Sequence, residues 1–171
     1  MSKSPRLGNI SPIIPAGNDM EKAIAFYEDQ LGFITIHKEG DPVTMAIVKR
    51  DSAEIFLQKN DDRHLAEWTT FRIHVEHVDR LYEELQAKGG EMIHPKGKLE
   101  MKPWGTREFA ILDLAGICIT FYEFSKRTWQ AYRLSDEICS VTTKTPIRFS
   151  CFTSLPPKLS MVWVMKYSKT Y

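Results

Sequence analysis

The first 125 residues carry one order of elements twice. A short apolar stretch at 10–15 precedes Met20, Ile24, Tyr27 and Leu31, which recur at helical spacing and define one buried face. Asn18 or Asp19 can cap that helix and Gly32 can end it. Strand candidates follow at 33–38, 43–48 and 53–58, with Gly40-Asp41-Pro42 and Asp51-Ser52 as turns between them. The order then repeats. An alternating strand at 69–75 leads into a helix at 78–88, with Val78, Leu81, Tyr82 and Leu85 on one face and Gly89-Gly90 as its stop. Strands near 91–94, 107–112 and 117–124 complete the second half. On periodicity alone this is an α+β chain with an internal duplication.

A chain of 171 residues is long enough for one domain with a real core, and short for two. No apolar run approaches the roughly 18 residues of a membrane span, and Met1 to Arg6 has no apolar segment behind it, so no signal peptide and no membrane contact are expected. Cys118, Cys139 and Cys151 show no metal spacing and no paired framework, which fits a reduced, cytoplasmic setting. The net charge of +1 hides an asymmetry. Residues 1–125 hold 15 Lys/Arg against 20 Asp/Glu, whereas residues 126–171 hold 8 against 2. The acidic part favours cationic small molecules over nucleic acid by long-range attraction. The basic tail contains none of the nine glycines; weak helical spacing marks 126–139, and 161–165 reads as one strand.

The second half closes on Lys102-Pro103-Trp104-Gly105-Thr106-Arg107-Glu108-Phe109, a turn running into an alternating strand. That strand ends at Asp113-Leu114-Ala115-Gly116, and Ile117 to Glu123 follows as its partner. This hairpin resembles that of the vicinal oxygen chelate superfamily, which includes glyoxalase I, extradiol dioxygenases and fosfomycin resistance enzymes. Its Pro-Trp-Gly-x-Arg-Glu-Phe string is most similar to the bleomycin resistance proteins, which bind a drug and do no chemistry on it. The resemblance implies two β-α-β-β-β modules, about 8–60 and 66–125. They would form a curled mixed sheet with a concave cleft and helices on its convex face. Residues 126–171 would be a basic extension. It also implies a homodimer, often with exchange of the first strand. Pro12 and Pro15 suit an edge strand.

Metal-dependent members of that superfamily draw four His or Glu ligands from four strands. Placed on this chain, the positions fall at Pro12, Phe56, Thr70 and Thr120, none a good ligand for a divalent ion. Alternation turns Phe71, Ile73 and Val75 toward the helices, and Thr70, Arg72 and His74 into the cleft. It likewise puts Cys118, Thr120 and Tyr122 in the cleft, with Ile117, Ile119 and Phe121 behind, and points Glu123 away. Glu54 and His74 share the concave face but lie off the ligand positions. Arg107 and Glu108 face opposite ways, and the sequence does not say which is inward. No i, i+4 histidine pair on a helix, no Gly-rich phosphate loop and no nucleophile elbow occurs.

The expected ligand contacts are therefore Phe56, Gln58, Thr70, Arg72, His74, Thr120 and Tyr122, with Trp104 on the closing loop, Phe33 from an edge of the first half, and Trp68 before the fifth strand. Aromatic faces with a few placed polar groups suit a flat, partly cationic ligand. The expectation is a binding protein of the bleomycin resistance type that works without catalytic residue, metal or other cofactor, sequestering a small aromatic molecule in antibiotic resistance. One alternative is a glyoxalase-like or thiol-transferase-like metalloenzyme. Another is a ligand-sensing regulatory module whose basic tail contacts a partner or nucleic acid.

Overall fold

A computed structural model describes residues 9–125. Each module forms its own four-stranded mixed sheet, and neither sheet closes on itself. The first contains β1 (Ile13–Pro15), β2 (Ile34–Glu39), β3 (Met45–Arg50) and β4 (Ala53–Gln58) in the order β1-β4-β3-β2. The second contains β5 (Thr70–His74), β6 (Glu100–Met101), β7 (Thr106–Leu112) and β8 (Cys118–Phe124) in the order β5-β8-β7-β6. In both, the first strand pairs in parallel with the last and the remaining pairs are antiparallel. β1 is an edge strand, where its prolines withhold no needed donor.

One helix belongs to each module. Helix α1 (Met20–Ala25) starts at Asp19, whose carboxylate accepts from the Lys22 N–H, and continues as a π-helical turn over Phe26–Gln30. Helix α3 (Val78–Ala87) buries Val78 and Leu85. Its first N–H donates to the Glu123 carboxylate, so Glu123 points to the helix side, as alternation requires. Behind the sheets, Ile14, Val48, Ile55 and Leu57 pack in one core with Phe109, Ile111, Ile119 and Phe121.

A short helix not foreseen from sequence, α2 (Arg63–Trp68), is capped by Asp62 and buries only Ala66, too little to leave a periodic stripe. The strand expected at 91–94 reduces to a single bridge between Ile93 and Ile111, and β6 forms at Glu100–Met101 instead. Pro95 has no N–H for the ladder. Gly97 passes so close to β7 that a Cβ there would lie 2.8 Å from the Ala110 Cβ. The readings at 126–139 and 161–165 fall outside the described residues.

The modules are bonded to each other on the helix side. The Tyr27 hydroxyl donates to the Asp113 carboxylate at 2.9 Å. The other oxygen of Asp113 accepts from the Ala115 and Ile117 N–H groups and holds the β7–β8 turn, where Gly116 takes the positive φ. Lys88 donates to the carbonyls of Asp29 and Gln30, and Arg50 pairs with Glu84 at 3.2 Å. Burial pushes the Asp113 carboxyl up, against the opposing pull of the hydrogen bonds from Ile117, Tyr27, Ala115 and Gly116. Burial first, then the charge of Asp113, raises the Tyr27 hydroxyl well above its usual value.

A raised carboxyl pKa means that folding binds the Asp113 proton more tightly than the open chain does. Its contribution is therefore complete below the ordinary value of 3.8 and is withdrawn as pH rises through the folded value. Tyr27→Phe removes one donor that stabilises the charged form. The variant is expected to lose about 1–3 kcal/mol at neutral pH. Its Asp113 carboxyl should titrate higher than in the parent by carbon-detected NMR, and the stability deficit should narrow as pH falls.

Candidate functional site

The helices cover one face of each sheet and leave the other open. On the second sheet, register aligns His74, Tyr122, Glu108 and Glu100 across β5, β8, β7 and β6, and Arg72, Thr120 and Ala110 across the adjacent row. The Tyr122 ring lies edge-on to His74 at 5.5 Å and to Phe124 at 5.4 Å, and His74 stands 5.8 Å from Phe124. These three rings form one continuous aromatic surface.

Glu108 is the inward member of the Arg107–Glu108 pair. It is only 7% exposed, on a face that is otherwise open. Its Oε2 accepts from Arg72, from the Thr106 hydroxyl at 2.7 Å and from the Trp104 indole N–H at 3.4 Å. The Arg72 guanidinium carbon also stands over the Tyr122 ring, 4.6 Å from its centre. Arg107 points to the helix side and makes a forked pair with Asp79. That hydrogen bond, with the Arg107 charge, lowers the Asp79 carboxyl.

Trp104 is set by a four-residue turn in which the Gly105 N–H donates to the Lys102 carbonyl, with Pro103 fixing the second position. Its ring is 43% exposed, and the Lys102 ammonium stands 5.9 Å from the ring centre. The turn thus holds one side of the indole to Glu108 and leaves much of the ring accessible.

The sequence-predicted residues separate into four groups. Thr70, Arg72, His74, Thr120, Tyr122 and Trp104 belong to the second sheet and its closing turn. Phe56 and Gln58 stand on the open face of the first sheet, opposite Ile47 and Met45. Phe33 lies on neither open face: it is 5% exposed and packs edge-on to Tyr27 in the core. Trp68 ends α2 and is 66% exposed, with His64 at 5.9 Å. Phe124 and Glu108 were missed. Phe124 shares parity with Tyr122, and Glu108 follows from the β7–β8 register once that is known.

A groove of about 510 Å³ lies on the helix side of β5. Leu31, Ile73, Leu81, Arg50, Arg80 and Glu84 contribute to it, and of the predicted contacts only Phe33 and His74 reach it. It is a less apt site for a flat ligand than the open face, because the pair of Arg50 with Glu84 crosses its lining and its two phenyl rings, Phe33 and Phe121, are buried at 5% exposure each.

One metal position needs correction. Alternation along β1 puts Pro12 on the side of buried Ile14, and turns Ser11 and Ile13 to the open face, where Ile13 sits beside Phe56. The Ser11 hydroxyl donates to Glu54 at 2.9 Å. Counting back from the helix therefore lands between two open-face positions. With either open-face neighbour, Ser11 or Ile13, the set completed by Phe56, Thr70 and Thr120 holds only neutral hydroxyls and apolar side chains. This set does not fit a divalent ion. Among the described residues no three His, Cys, Asp or Glu side chains come together in a metal-holding cluster. Burial raises the Cys118 thiol, on the same face.

Residues 10–121 match the family model described as Glyoxalase/Bleomycin resistance protein/Dioxygenase superfamily. The chain belongs to this superfamily. The bleomycin resistance proteins of Geobacillus stearothermophilus and Staphylococcus aureus are each 29% identical to it over 129 residues, covering 66% of this chain and 93% of theirs. The bleomycin-binding protein of bleomycin-producing Streptomyces verticillus, solved with copper(II)-bleomycin, superposes with a TM-score of 0.57 at 25% identity. That match covers 69% of this chain and 97% of the other. A lactoylglutathione lyase from Agrobacterium tumefaciens shares the fold at 17% identity, with a TM-score of 0.55 over 74% of this chain and 98% of its own. The resemblance drawn from the closing hairpin therefore holds for the superfamily, and the curated relatives the chain matches are bleomycin resistance proteins. Among the described residues, no helix is long and apolar enough to cross a membrane.

Arg107 and Glu108 should respond very differently to mutation. Arg107→Ala breaks an exposed pair and should cost less than about 1 kcal/mol in denaturant unfolding. Glu108→Ala strips Arg72, Thr106 and Trp104 of a shared buried acceptor and should cost about 2–3 kcal/mol.

Proposed function

We propose that this superfamily member is a binding protein that sequesters a flat, cationic aromatic ligand on the Tyr122–Phe124–His74 surface, without catalysing a reaction. The observation that carries the reading is a buried carboxylate, Glu108, set among aromatic rings on an open sheet face. Aromatic faces and a desolvated carboxylate both favour cations. The corrected metal positions offer no donor set for Lewis-acid chemistry, which weighs against the glyoxalase-like and thiol-transferase-like alternative. The homology makes a glycopeptide of the bleomycin type the first candidate ligand.

The reading includes a homodimer in a reducing, cytoplasmic setting, with residues 8–125 as the binding domain and 126–171 as a separate extension. Ile13 and Ile34 are 66% and 63% exposed on the first module. Between them on the open face lie Phe56 and Ile47, paired across β4 and β3. The row of Ile13, Phe56 and Ile47 is apolar across three strands and suits a partner surface, while Ile34 stands in the next row beside Lys49 and Glu54. A second copy laid across it would bring Phe56 and Gln58 toward a ligand that Tyr122 and Trp104 hold.

Calorimetric titration with metal-free and copper-loaded bleomycin should give saturable binding with either form. Trp104→Ala should weaken it by about 1–3 kcal/mol without unfolding the chain. Thr120→Ala should cost no more than about 1 kcal/mol, the worth of one neutral hydrogen bond. Light scattering should report a dimer at micromolar concentration. Absence of binding to bleomycin and to a panel of planar cationic drugs would overturn the ligand reading, and a stable monomer would overturn the assembly.

A further inference from the structure

Arg72 already occupies the place that a ligand cation would take. Its guanidinium is stacked on Tyr122 at 4.6 Å and ion-paired with Glu108, which is one planar cation satisfied by one aromatic face and one carboxylate. All three donors to Glu108 converge on Oε2, and no described residue donates to Oε1. The Trp104 ring carries a second internal cation, Lys102. Arg72 projects from β5, an edge strand, and its side chain is 36% exposed, so it has solvent to move into, whereas Glu108 and Tyr122 are held within the sheet.

We propose that Arg72 is an internal competitor at a planar-cation site built by Tyr122, Glu108 and Trp104, and that a guanidinium-like or flat heteroaromatic cation binds by displacing it. This deepens the proposed function and rests on its placement of the ligand on the open face of the second sheet. The carboxylate and the ring select for planar cations. Arg72 sets a threshold, because a ligand must stack and pair better than the tethered guanidinium. Neutral aromatic molecules gain the ring and nothing from Glu108, and so fail to displace it.

Chemical rescue tests the seat without reference to any drug. In the full chain carrying Arg72→Ala, ethylguanidinium should produce a saturable shift of the Trp104 indole N–H resonance, assigned through Trp104→Phe. The parent should respond at least about tenfold more weakly, the factor that corresponds to one modest cation–π contact. Adding Glu108→Gln to Arg72→Ala should abolish the response, and tetramethylammonium should give less than ethylguanidinium. Arg72→Lys keeps the charge without the planar fork. It should respond between the two, and it serves if the alanine variant fails to fold. A folded Arg72 variant with no saturable shift, or one no more responsive than the parent, would overturn the proposal. Bleomycin separates this result from the functional reading. If bleomycin binds neither form, that reading fails, while the ethylguanidinium titration still decides the seat. Tightening of about tenfold in Arg72→Ala supports displacement, and unchanged or weaker binding contradicts it.

Discussion

The carboxylate of Asp113 is the joint of this fold. One oxygen closes the β7–β8 turn through the backbone of Ala115 and Ile117, and the other accepts from Tyr27 of the first module. A carboxylate buried this far is tolerated because both of its oxygens find donors. The same carboxylate that sets the turn therefore also joins the modules. With Arg50–Glu84 and the Lys88 contacts, it commits the helix sides of both modules to each other. Among the described residues, no helix covers the opposite faces of the two sheets, and those are the faces proposed for a ligand or a second copy.

On the second sheet that open face is polarised. β8 contributes Tyr122 and Phe124, β5 contributes Arg72 and His74, and β7 contributes one carboxylate among them. Glu108 is expensive to bury and is stabilised by three converging donors, two of which, Arg72 and Trp104, are also ligand candidates. Binding and internal stability thus draw on the same groups. A ligand that takes Arg72's place restores the charge balance it disturbs, which is a physical reason for such a site to prefer cations.

Much of this was legible in the sequence because period-2 alternation is unforgiving. Phe71, Ile73, Ile119 and Phe121 could face only the core, which put Arg72, His74, Thr120 and Tyr122 on the other side before any coordinates. The Asp-x-x-Gly turn and the Asp19 cap were readable for the same local reason. What escaped depended on registers and contacts between elements. Pro12 falls on the core side of β1, a parity that shows only once β1 is paired with β4. The 91–94 strand was broken by Pro95 and by the close pass of Gly97 against Ala110, a contact between residues far apart in the sequence. Phe33 was assigned to an edge, whereas the ring contact with Tyr27 draws it into the core. Glu108 was invisible as a site residue until β7 was set opposite β8.

The ligand face proposed for this chain is the open face of the second sheet, not the groove on the helix side of β5. Mapping chemical-shift changes of an isotopically labelled chain during a bleomycin titration tests it most directly. The account predicts the largest shifts at the Trp104 indole, the Tyr122 and Phe124 rings and the Arg72 guanidinium, with Arg80 and Leu81 little changed. Shifts centred on Arg80, Leu81 and Leu31, with Trp104 and Tyr122 unmoved, would contradict it.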